Sequence, residues 1–103
     1  MKTTWMMAAL TLAAASAASA QTPDALYLKS LAATCANCHG TNGKAVDGSS
    51  VPTIAGMPRD YLVAQLKAFK SGARPATVMH QLSKGYSDAQ IEQISTYFAA
   101  QKK

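Results

Sequence analysis

One pentapeptide, Cys35-Ala36-Asn37-Cys38-His39, constrains this chain more than any other stretch. On a helix, Cys35 and Cys38 are three positions apart and Cys35 and His39 four, so all three side chains project from one turn. Two thiols and an imidazole converging in this way form the attachment pattern of a c-type haem. The sulfurs add to the two porphyrin vinyl groups and the imidazole of His39 reaches the iron as proximal ligand. A Cys35–Cys38 disulfide is the other use of such spacing, but no βαβ pattern surrounds the pair and a histidine directly follows the second cysteine. A structural zinc site wants four ligands, and too few cysteines and histidines cluster here to supply them. One covalent haem c is the expectation.

Residues 1–20 read as an export address and not as structure. Lys2 gives the positive start, an apolar run extends from Trp5 to about Ala15, and Ala18-Ser19-Ala20 has the small-x-small form that directs cleavage after Ala20. The run is short of the roughly 18 apolar residues of a spanning helix, so stable membrane insertion is not expected after cleavage. Removing residues 1–20 from the 103 leaves 83, one domain at 21–103. Domains of that size bury only about 60% of the surface their unfolded chains expose, which makes a purely protein core marginal; a haem adds a large apolar body for short helices to pack around. Bacterial thioethers are made outside the cytoplasmic membrane, so leader and attachment motif independently indicate the periplasm.

Losing Lys2 takes the formal charge from +5 to +4. The basic residues are scattered and form no long run, which excludes a nucleic-acid surface; the charge suits encounter with an acidic redox partner.

Helical signals fill the rest. Thr22-Pro23-Asp24 starts a helix expected to run to about Thr34, with Leu28, Leu31, Ala32 and Cys35 at helical spacing. Glycine, serine and proline then dominate from Gly40 to Gly56, a long loop. Pro58 opens a second helix with Leu62, Leu66 and Phe69 on one face, closing at Ser71-Gly72. A short helical piece is expected over Ala76 to Lys84. Ser87-Asp88-Ala89-Gln90 has the form of a capping box, and Ile91, Ile94 and Phe98 line a last helix to about Gln101. Nothing alternates like a strand, so the fold is all-α: three to four helices and a long loop wrapped around one haem.

The iron face opposite His39 has three candidate ligands. Met57 is eighteen residues after His39 and beside Pro58, which leaves little chain to round the porphyrin edge; Met79 is forty residues on, with a helix between. Met79 is therefore favoured over a merely packed methionine. His80 neighbours it, but one step along a helix turns about 100°, so one of the two faces the iron and His80 is expected toward solvent or the haem edge. A His/Met pair raises the potential and leaves no site for substrate. The other ring nitrogen of a proximal histidine usually donates to a carbonyl, for which Pro52 is the candidate. Tyr61, Lys67 and Arg74 are candidates to pair with propionates.

Together Cys35 to His39, Val51-Pro52-Thr53-Ile54-Ala55-Gly56, Met79 and the terminal aromatic helix resemble the small bacterial class I cytochromes c over nearly all of residues 21–103. The resemblance implies a Pro52 carbonyl on the proximal histidine, Met79 as sixth ligand, and first and last helices that cross, with Tyr97 or Phe98 against small residues of the first. Phe69-Lys70-Ser71-Gly72, Thr77-Val78-Met79, Lys84-Gly85-Tyr86-Ser87 and Tyr97-Phe98 are similar to the haem domain of the cytochrome subunit of flavocytochrome c sulfide dehydrogenase. That likeness implies a non-catalytic electron-transfer subunit accepting electrons from a flavoprotein. The alternative is a free carrier between respiratory complexes. Some members carry two haem domains; this chain has one attachment motif.

Overall fold

In the computed structural model, which describes residues 23–103, four helices and one 3₁₀ turn follow in order, with no strand among the described residues. The leader assigned to residues 1–20 lies outside them. Helix α1 is Pro23–His39, with proline at its first position and Asp24 in its first turn, both suited to a helix N-terminus. It passes through the attachment pentapeptide instead of stopping near Thr34. Residues 34–39 contain neither glycine nor proline, so nothing breaks the helix until Gly40, whose amide donates to the Ala36 carbonyl at 3.0 Å.

A 3₁₀ turn, Thr41–Gly43, follows inside the long loop. Helix α2, Arg59–Ser71, begins behind Pro58 and is closed by Gly72. Helix α3 is only Met79–Lys84, three residues shorter at its start than expected. Pro75 and the β-branched Thr77 and Val78 keep the preceding chain out of the helix; Val78, at φ −138°, then accepts from the amides of Gln81 and Leu82. Helix α4 is Asp88–Ala99, two residues short of the expected end, and its capping box is complete: Gln90 N–H donates to Ser87 Oγ at 3.1 Å and Ser87 N–H to Gln90 Oε1 at 2.9 Å. Ser87→Ala removes one side of this box and is expected to cost about 1 kcal/mol in chemical denaturation.

Helix α1 packs on the 3₁₀ turn and α4, while α2 packs on α3 and α4. Their meeting point is a cluster of Ala32, Leu62, Ile94 and Phe98, joined at its edge by Leu31, Cys35, Ile54, Met57 and Leu66. Phe98 is the largest fully buried side chain, stacked edge-to-face on Tyr97 at 5.3 Å, and small Ala32 lets α4 approach α1. The buried apolar set is small: Ala32, Ala55, Leu62, Ile91, Ile94 and Phe98. Outside it, ion pairs join α2 to α4, with Glu92 shared by Arg59 at 2.7 Å and Lys67 at 3.7 Å and Asp88 held by Lys70 at 3.1 Å. These groups are partly exposed, so each pair contributes at most about 1 kcal/mol.

Candidate functional site

The last turn of α1 presents Cys35 half-buried, Cys38 exposed and His39 buried, with no disulfide between the two thiols. Burial pushes the Cys35 thiol pKa up and Cys38 adds to the rise, against a lowering contact from Thr34. Thr34 Oγ1 lies 3.9 Å from Cys35 Sγ and donates to the Leu31 carbonyl at 2.7 Å. With that proton committed, Thr34 accepts the hydrogen bond from the Tyr86 hydroxyl. The Tyr86 carbonyl in turn receives Lys70 Nζ at 2.7 Å, so the start of the attachment turn is tied to α2 through the α3–α4 connection.

The imidazole of His39 is only 9% exposed, and its Nδ1 lies 2.7 Å from the Pro52 carbonyl oxygen. A carbonyl accepts, so Nδ1 carries the proton and Nε2 keeps its lone pair for a metal. The backbone around Pro52 is pinned to the turn that follows His39. Gly43 O accepts from Ile54 N at 2.8 Å and Ala55 N at 3.1 Å, and Ala45 N donates to Thr53 Oγ1 at 3.0 Å. The turn itself is tightly fitted: a Cβ on Gly43 would meet Phe98 Cδ1 at 2.6 Å, and one on Gly40 would meet the Lys44 carbonyl oxygen at 2.0 Å. Sequence pattern marked Pro52, but nothing local in the sequence signalled that Gly43 and Thr53 hold its loop in place.

Met79 is the first residue of α3 and half-buried, with Val78 and Leu82 beside it each about half exposed. Met57 is placed differently, against the Ala32, Leu62, Ile94 and Phe98 cluster. His80 is half-buried with its Nδ1 enclosed and unpartnered, so that nitrogen does not face solvent. Of the propionate candidates, Lys67 is engaged with Glu92, and Arg74 stacks over the Phe69 ring at 4.7 Å and donates to Gln65. Tyr61 is exposed and uncommitted.

This donor set fits haem c. Two thiols share one helical turn, an imidazole nitrogen is freed by the Pro52 contact, and a thioether stands among apolar side chains suited to a porphyrin face. Among the described residues no three His, Cys, Asp or Glu side chains are arranged to hold a bare metal ion. Nor is any described helix long and apolar enough to cross a membrane.

Residues 26–102 match the Cytochrome c family. The chain belongs to that family. Like its other members, this cytochrome carries covalently bound haem c, the group through which the family transfers electrons. It is 41% identical over 68 residues to the cytochrome subunit of sulfide dehydrogenase of Chlorobaculum tepidum, covering 66% of this chain and 60% of that one. To a thiosulfate dehydrogenase electron acceptor of Thiomonas intermedia it is 39% identical over 71 residues, covering 69% of this chain and 33% of the relative. The cytochrome therefore spans between a third and three fifths of the length of these two relatives. A solved structure of cytochrome c4 from Acidithiobacillus ferrooxidans superposes with a TM-score of 0.60 at 32% identity, over 64% of this chain and 37% of that one. The all-α arrangement is accordingly the class I cytochrome c fold, with α1 and α4 packed together at Ala32 and Phe98.

Proposed function

We infer that this cytochrome works in the periplasm, after cleavage behind Ala20, as the haem subunit that accepts electrons from a flavoprotein sulfide dehydrogenase. Cys35 and Cys38 would hold the haem, and His39 Nε2 and Met79 would ligate its iron. The observation that carries the site is the 2.7 Å contact between His39 Nδ1 and the Pro52 carbonyl, which orients the ring and leaves Nε2 free to ligate. Packing of Met57 into the core supports Met79 as the second ligand, since Met57 already has a place. When bound, the haem supplies a one-electron iron couple. Met79 would offer a soft, neutral donor that favours the reduced state, and two protein ligands would keep substrate from the metal.

The likeness to the sulfide dehydrogenase subunit supports the choice of donor. Purified from its native host, the protein is expected to begin at Gln21 and to co-elute with a larger, flavin-containing polypeptide. A mature chain that always elutes alone sinks the subunit reading and leaves the diffusible carrier.

A further inference from the structure

The chain has two asparagines, Asn37 inside the attachment motif and Asn42 in the 3₁₀ turn, and only Asn42 is followed by glycine. Glycine has no side chain to obstruct an approach to its backbone nitrogen, so an Asn-Gly pair can react with itself. The Gly43 nitrogen attacks the side-chain carbonyl carbon of Asn42. A C–N bond forms, the C–NH₂ bond breaks, and the amino group leaves as ammonia with the Gly43 amide proton. Water then opens the resulting five-membered imide at either carbonyl, giving aspartate or an isoaspartate in which the backbone runs through the former side chain.

The folded chain opposes this closure at each reacting group. Asn42 sits at φ 53° and ψ 24°, the one non-glycine residue at positive φ among those described. At that ψ the Gly43 nitrogen points away from the Asn42 side chain, whereas the ring needs both on the same side of the Cα–C bond. The Gly43 N–H is committed to the Gly40 carbonyl at 2.8 Å, and Gly43 is buried with Phe98 and Ile54 packed against it. The Asn42 carbonyl is committed too, since the Tyr97 hydroxyl of α4 donates to its Oδ1 at 2.7 Å. We propose that Asn42-Gly43 is a self-modification site that the fold holds shut, with Tyr97 as its latch. Before α4 docks, neither the turn nor the latch exists and the ring can close. The isoaspartate product carries an extra backbone carbon, so it cannot rebuild the turn whose Gly43 carbonyl accepts from Ile54 and Ala55. That turn pins the loop that aims Pro52 at His39, so a chain left open too long loses the means to orient its proximal histidine.

Haem-loaded wild-type protein and Tyr97→Phe are held at mildly alkaline pH and digested with trypsin. Cleavage after Lys29 and Lys44 releases residues 30–44, which carry the haem and both asparagines. Mass spectrometry follows amide-to-acid conversion in this peptide, and enzymatic methylation reports isoaspartate. Wild-type protein in guanidinium should convert Asn42 more than about tenfold faster than folded protein, because the turn then no longer protects it. Folded Tyr97→Phe should convert about fivefold faster than wild type, the change in local opening expected from losing one hydrogen bond. Ser87→Ala, which loosens the other end of α4, should stay within about twofold of wild type. Asn37 should remain intact throughout. Equal rates in folded and denatured wild type, an unchanged rate in Tyr97→Phe, an equal rise in Ser87→Ala, or conversion of Asn37 alongside Asn42 overturns the proposal. The isoaspartyl fraction, separated by its added negative charge, should unfold at lower denaturant than its parent, and equal midpoints would sink the consequence drawn for His39.

Discussion

Met79→Ala is expected to abolish the weak long-wavelength sulfur-to-iron charge-transfer band of the ferric protein and to lower its midpoint potential. The thioether favours ferrous iron, so its loss favours the ferric state whatever replaces it. Axial ligands set haem potentials over roughly 0.8 V, and exchanging the soft donor should traverse a sizeable part of that range. Met57→Leu is the matched control. It conserves volume within the Ala32 and Phe98 cluster, so both band and potential should be retained and stability should fall by less than about 1.5 kcal/mol. Persistence of the band in Met79→Ala, with its loss in Met57→Leu, would reverse the ligand assignment. His80 adds a diagnostic outcome, since its enclosed Nδ1 belongs to a ring directly beside the vacated position in sequence. A nitrogen-ligated, low-spin ferric spectrum in Met79→Ala that disappears in the double variant with His80→Ala would identify the replacement.

Gly40→Ala should be the most destabilising single-methyl change in the described chain. Gly40 holds φ 88° and ψ 166°, a conformation essentially restricted to glycine, and the added Cβ would lie 2.0 Å from the Lys44 carbonyl oxygen. That oxygen is backbone, so it cannot rotate away as a side chain would. Strain and overlap together should cost about 3 kcal/mol or more, lowering Tm by about 12–24 °C in a domain of this size. Gly48→Ala is the internal control: its φ is 79°, but no neighbouring atom lies within 4 Å of the added carbon. It should lose only the backbone contribution, about 1 kcal/mol. Thermal unfolding of the haem-loaded variants measures both, and equal effects would show that the Lys44 contact carries no weight.

What the sequence made legible was short in range. The Ser87 and Gln90 box, the glycine closing α2 and the Ile91, Ile94 and Phe98 stripe each depend on residues within two turns of one another, where helix geometry dictates the contact. Pro52 and the pentapeptide were singled out in the same way, by pattern and resemblance. The first helix runs beyond its expected end near Thr34, because the attachment motif is its final turn and not a segment that follows it. Contacts set by the folded chain left no such trace. Glu92 shared between Arg59 and Lys67, the Thr34 bond to Tyr86 and the Gly43 carbonyl that accepts from Ile54 and Ala55 join residues eleven to fifty-two positions apart. Charge alone suggests Lys67 and Arg74 for propionates, and nothing local in the sequence signals that Lys67 reaches Glu92 or that Arg74 lies over the Phe69 ring.

The small apolar interior has a bearing on when the protein folds. Two of the six buried apolar residues among those described are alanines, and Phe98 is the one aromatic among the six. Such an interior offsets little of the conformational entropy lost on folding, so the polypeptide alone sits near the threshold of collapse. A chain with so weak a drive to fold stays open until its haem is attached. Covalent capture of the prosthetic group then acts as a ratchet: the folded state gains a large apolar body, and the thioether links make that gain irreversible.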